Sequence, residues 1–138
     1  MTGQLVVDTN VVVAALLTSD SEAPTAVLLD AMLGGGVHFL LSVELLAEYR
    51  AVLLRPQIVS RHGLTAAEID EILLRLSEHA AVREPPLTTA QGVPRGDRHL
   101  ADLLAQAPGA VLVTGDEALR RRFGVRSASP RQMVQRMR

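Results

Sequence analysis

A chain of 138 residues, 48% of them apolar, suits one compact domain spanning 1–138 whose core needs no covalent staples. It contains no cysteine, which excludes disulfides, zinc thiolate sites and thiol nucleophiles and fits a reducing, cytoplasmic setting. A formal net charge of -1 excludes a strongly basic or acidic protein as a whole, although the charge is unevenly distributed.

Taken in chain order, the pattern alternates strands and helices. Gln4 to Val7 reads as a first strand and Thr9 to Leu17 as an apolar helix buried on most sides. Ser21, with Pro24 in the first turn, opens a second helix through Leu33, which Gly34-Gly35-Gly36 stops. A phosphate-cradling role for that triplet is disfavoured, because such glycines precede a helix rather than follow one. Val37 to Leu41 is a second strand. Ser42 caps a third helix to about Leu54, and Arg55-Pro56 breaks it. Thr65-Ala66-Ala67-Glu68 is a capping box for a helix reaching about His79, and Ala80 to Arg83 is a third strand. Glu84 to Gly96, with three prolines, is the one long loop, a length that often carries function. Asp97 to Ala107 is helical, Ala110 to Val113 a fourth strand, and Asp116 to Arg122 a short helix. Val125 to Ala128 is a fifth strand, with Ser129-Pro130 opening a terminal helix. Strands separated by helices imply right-handed parallel crossovers, hence an α/β fold, a three-layer α/β/α sandwich with a parallel five-stranded sheet.

Residues 1–117 hold all 15 acids and seven arginines, a balance of -8, whereas residues 118–138 hold seven arginines and no acid, +7. Such an end can attract phosphate backbones, the protein's own acidic surface or a partner's. All 14 basic residues are arginine, so P-loop and Schiff-base chemistry, which need lysine, are excluded. No apolar stretch approaches the roughly 18 residues that span a bilayer, so no membrane partner is expected.

Two apolar runs end abruptly in carboxylates: Val6-Val7-Asp8-Thr9-Asn10 and Val111-Leu112-Val113-Thr114-Gly115-Asp116. In an open α/β sheet the ligand crevice lies outside the carboxyl ends of the strands, where both acids would meet. Taken singly, Asp8, Asp97 and Asp116 each suit a helix N-cap. Their convergence, with Asp97 placed straight after the long loop, points instead to a shared site. Glu48 lies on a helix with the apolar stripe Leu45, Leu46, Tyr49, Val52 and Leu53, and a solvated acidic face explains it equally well. Gathered carboxylates repel and raise one another's pKa, a cost that a divalent cation removes. Oxygen ligands, with neither cysteine nor histidines at ligand spacing, favour Mg²⁺ or Mn²⁺. His38, His62, His79 and His99 read as surface or supporting residues, His99 being the hardest to dismiss.

At these residues the chain resembles the PIN domain family, and within it the toxin components of bacterial toxin–antitoxin systems. The carriers are Asp8-Thr9-Asn10, Leu45-Leu46-Ala47-Glu48 followed by Arg55-Pro56, Asp97 before an alanine-rich helix, and Val113-Thr114-Gly115-Asp116, in the right order over nearly the whole chain. The resemblance implies a metal-dependent ribonuclease with RNA as substrate. Asp8, Glu48, Asp97 and Asp116 match its acidic quartet; Thr9, Asn10 and Thr114 match the small polar residues beside it. It also implies an antitoxin and a second copy of the chain as partners. One departure is Val93-Pro94-Arg95-Gly96-Asp97, where relatives carry an acid-rich run. Arg95 there either weakens a second metal or meets a substrate phosphate.

Three function classes follow. The first is an Mg²⁺/Mn²⁺-dependent endoribonuclease. The second, motivated by Arg95, is a PIN-like RNA-binding or protein-interaction module without catalysis. The third, a phosphatase with Asp8 as nucleophile, is disfavoured by Asn10 and by the missing lysine.

Overall fold

The structure is a computed structural model that describes residues 3–84 and 95–138. Five short parallel strands carry it: β1 (Leu5–Val7), β2 (Leu40–Leu41), β3 (Ala81–Val82), β4 (Val111–Val113) and β5 (Ser127–Ala128). Between and after them come α1 (Thr9–Leu17), α2 (Pro24–Leu33), α3 (Val43–Leu53), α4 (Pro56–His62), α5 (Ala66–His79), α6 (Arg98–Gln106), α7 (Glu117–Phe123) and α8 (Pro130–Met137). The loop expected over 84–96 falls outside the described residues from 85 to 94.

The strands pair as two ladders, β1-β4-β5 and β2-β3, rather than as the single five-stranded ladder expected. One parallel bridge, Leu5 with Phe39, joins them, and the Leu5 amide donates to the His38 carbonyl at 2.9 Å. The spatial order is therefore β3-β2-β1-β4-β5. The junction is brief for a reason visible in β1. Gln4 and Asp8 turn their backbone groups to the β4 side, which leaves those of Val7 facing β2. There the buried Tyr49 hydroxyl donates to the Val7 carbonyl, an acceptor that a longer ladder would use.

The chain thus runs outward from β1 through β2 to β3, returns to the other flank of β1 as β4, and continues to β5. Right-handed crossovers then require the connecting helices of the two halves to cover opposite faces, which is the layering expected. The strand order reverses between β1 and β4, so the crevice at their carboxyl ends is the topological switch point. Both strands read as apolar runs because both faces of the sheet are covered: Leu5, Val6, Val7, Leu112 and Val113 are all buried.

Three local departures from the expected pattern have physical causes. The helix expected to open at Ser21 begins at Pro24, because Asp20 claims the amides of Glu22 and Ala23 in a preceding turn. Pro56 does end α3, but it also starts α4, a helix missed because seven residues are too few to show a period. Gly63, at φ 71°, closes α4 in the left-handed conformation, and His62 anchors its end by binding the Leu53 carbonyl and the Leu64 amide. The fifth strand is shorter than expected, since Gly124 at φ 56° turns residues 124–126 into a 3-10 turn and leaves Val125 96% exposed. The glycine triplet does stop α2: Gly34 caps it, and the Gly36 amide returns to the Ala31 carbonyl.

The 3-10 turn aims Arg126 back into the fold. Its guanidinium donates to the carbonyls of Leu104, Ala107 and Ala110, closing the end of α6 and the entry to β4. Arg126→Ala leaves those carbonyls short of a charged donor and is expected to lower the unfolding free energy by about 2 kcal/mol. Urea denaturation measures this. An unchanged midpoint would show that water replaces the guanidinium at no cost.

Candidate metal centre

The site begins where β1 stops. Asp8 is extended (ψ 149°) and caps α1, its Oδ1 accepting from the Thr9 amide at 2.8 Å. Capping uses only one oxygen. Oδ2 accepts from the Thr114 hydroxyl at 2.7 Å and from Asn10 Nδ2 at 3.2 Å. The same Thr114 oxygen, wholly buried, accepts from the Asp116 amide at 3.0 Å, and Asn10 Oδ1 accepts from the Gly115 amide at 3.3 Å. Two hydrogen-bonded links therefore tie the acid after β1 to the turn after β4. Asp116 caps α7 through Oδ1, which accepts from the amides of Ala118 and Leu119. At Asp8 and Asp116 the helix cap occupies only Oδ1, so capping does not account for both oxygens of either carboxylate.

Asp97 does not cap α6, contrary to what the sequence suggested. It closes a 3-10 turn, Arg95–Asp97, and its backbone (φ -104°, ψ 0°) is helical, whereas a capping side chain needs the extended region. Its carboxylate is thus not committed to the helix. Glu48 is brought in by α3, whose Leu45, Tyr49 and Leu53 are buried. The Thr9 hydroxyl donates to Glu48 Oε2, which separates this acid from a merely solvated face. The side chain of Arg95 lies outside the described residues.

All four expected acids, with Thr9 and Asn10, line one cavity of about 520 Å³. The remaining lining is largely apolar, with Val13, Leu17, Val52 and Ile58, and includes Arg61 of α4. Burial raises the Asp8 carboxyl pKa above its usual 3.8; hydrogen bonds from Thr114 and Thr9 oppose this, and the charges of Asp97 and Glu48 reinforce it. Burial also raises Asp97, helped by Asp116 and Glu48 and opposed by His99 and Arg122. The Tyr49 hydroxyl is pushed well above its ordinary range by complete burial and by Asp8 and Glu48. These acids feel one another's charge.

Among the described residues, no three acidic or imidazole groups form a cluster that could hold an ion as placed. The acids share a cleft rather than a vertex. What fits a divalent cation is the chemistry of the donors: hard oxygens whose repulsion is incompletely neutralised by neighbouring cations. A cation would have to draw them inward.

Three contributors escaped the sequence pattern. Tyr49 was legible only as part of an apolar stripe; being the one tyrosine of the chain was its sole distinguishing mark. Arg61 and Ile58 belong to the unforeseen α4. The basic end, conversely, is partly structural: besides Arg126, Arg120 donates to the Thr114 carbonyl at 2.9 Å.

A parallel α/β sheet with acids gathered at its switch point defines a class of fold that binds its ligand at the carboxyl ends of the central strands. The family model described as PIN domain matches residues 4–118, from β1 through the last of the four acids, and the chain belongs to the PIN domain family. Members of this family are typically nucleases, act on nucleic acids and generally use divalent metal ions. No curated protein matches the chain. No helix of the described residues is long and apolar enough to cross a membrane.

A raised carboxyl pKa means that the folded state holds its proton more tightly than the unfolded chain does. The associated stability is full below the unfolded value and is lost as pH rises through the folded one. Asp97→Asn removes that loss. Without divalent ions, the variant is expected to exceed wild type by a few tenths of a kcal/mol at pH 7.5, with the difference vanishing near pH 3.5. Paired urea titrations with a chelator decide this, and an equal difference at both pH values would show that the raised carboxyl pKa, set first by burial and then by Asp116 and Glu48, is not its source.

Proposed function

We propose that this PIN domain, taken as one domain over residues 1–138, is an Mg²⁺- or Mn²⁺-dependent endoribonuclease serving as the toxin of a toxin–antitoxin pair. The observation that carries the nuclease reading is the single cleft lined by Asp8, Glu48, Asp97 and Asp116, four acids from four separate parts of the chain. The finer toxin role rests on the ordered resemblance of the motifs to toxin components. An antitoxin, a second copy of the chain and a cytoplasmic location are proposed on the same ground, the last also on the absence of cysteine.

In this reading the four carboxylates hold the divalent ions. Bound there, such ions supply Lewis-acid stabilisation of the charge that develops on a phosphodiester and its leaving oxygen. The chain's own residues do the rest. Thr114 and Asn10 fix Asp8 through Oδ2, so this acid needs little reorganisation when the substrate arrives. Thr9 orients Glu48. Arg61 offers the cleft a guanidinium suited to a backbone phosphate, and Arg95 is assigned the same task.

Asp8→Asn preserves shape and the Oδ1 cap and removes the charge, while its amide nitrogen takes the place where Oδ2 accepted from Thr114 and Asn10. It is expected to lower RNA cleavage by at least about 10²–10³-fold while leaving the circular dichroism spectrum unchanged. Equal cleavage by both proteins would point to a contaminating nuclease. RNA binding by wild type without saturable Mn²⁺ uptake would favour the module without catalysis.

A further inference from the structure

Among the histidines, His99 is the one that packing alone does not account for. It sits in the first turn of α6, on the face that buries Leu100, Leu103 and Leu104, and is only 7% exposed. An aliphatic residue would satisfy that face equally well. Its Nδ1 is buried with no hydrogen-bond partner among the described residues, whereas its Nε2 lies 3.6 Å from Glu48 Oε2. Buried polar atoms are normally paired, so an orphaned ring nitrogen calls for an explanation in what the rest of the ring does.

An imidazolium carries a proton on both nitrogens and so presents Nε2–H to Glu48; for the neutral ring, the tautomer follows from the surroundings. A proton on Nδ1 would create a buried donor with no acceptor and would turn the Nε2 lone pair toward a carboxylate. With the proton on Nε2, the orphan is only a lone pair, the cheaper of the two to leave unmade. The ring thus aims an N–H at the oxygen that also accepts from Thr9. At 3.6 Å this is a contact rather than a hydrogen bond. The Glu48 side chain, 37% exposed, has the freedom to close it by a small torsion, whereas the buried imidazole does not.

We infer that His99 is a positioning residue for Glu48: together with the Thr9 hydroxyl it holds Oε2, so that Oε1 is the oxygen offered to the cleft. The inference rests on the proposed metal centre. Donors behind a ligating carboxylate typically change metal affinity by about 10–100-fold when removed.

Titration calorimetry with Mn²⁺ alone, on wild type, Asp8→Asn, His99→Gln, His99→Asn and His99→Leu, tests it without any activity readout. The amide of Gln reaches the place of Nε2 and that of Asn the place of Nδ1, so the two polar variants differ chiefly in whether they present a donor to Glu48. Expected are wild-type-like affinity for H99Q and a loss of about 10-fold or more for H99N and H99L. If H99L does not fold, H99N carries the comparison. Saturable binding by wild type, abolished in Asp8→Asn but unchanged in H99N, overturns the positioning role and leaves the metal centre standing. Equal losses in H99Q and H99N also overturn it, since packing alone would then be at work. No saturable binding by wild type overturns the metal centre and the inference together.

Discussion

The Thr114 hydroxyl is the point on which the fold and the site both depend. It donates to Asp8 Oδ2 and accepts from the Asp116 amide, with its oxygen wholly inside the protein. With the parallel link through Asn10 to the Gly115 amide, this atom fixes the spacing between the end of β1 and the turn after β4. That spacing exists only because the parallel pairing of Leu5–Val7 with Val111–Val113 brings together segments about a hundred residues apart in sequence. The arrangement is demanding, because a buried carboxylate is tolerated only when its lone pairs are occupied. Asp8 meets that condition with donors from Thr9, Asn10 and Thr114 and still carries a raised pKa.

The same logic extends outward by support rather than by further charge. Tyr49 ties α3 to β1 through the Val7 carbonyl, and that bond sets where Glu48, one residue earlier, enters the cleft. Asp97 is held differently, by a backbone turn that withholds it from capping duty. Each acid thus arrives by a separate device. A cluster of like charges assembled this way costs stability locally, as the raised pKa of Asp8 and Asp97 indicates, and such a cost is commonly found where function sets the arrangement.

Much of this was legible in the sequence, for identifiable reasons. Apolar runs ending in Asp8 and Asp116 announced strand ends, and strand ends in a parallel fold converge. Capping boxes at Thr65 and Ser129 marked helix starts that the structure shows in full. What stayed hidden depended on short or non-local features. Helix α4 lacks both a period and a buried residue, so nothing in its pattern distinguished it from loop, and Arg61 was lost with it. Asp97 looked like a cap because the 3-10 turn before it leaves no pattern in composition. Arg126 looked like part of a basic surface, and only the turn at Gly124 shows that it serves α6 instead. Charge runs reveal number, not direction.

The central claim is that these carboxylates, now spread around a cleft, are the ligands of a shared cation. Anomalous diffraction from crystals soaked in Mn²⁺ tests it most directly. The account predicts a peak in the cleft with oxygens of Asp8 and at least one of Asp97, Asp116 and Glu48 at about 2.1 Å. A cleft without a peak at millimolar Mn²⁺ would contradict it.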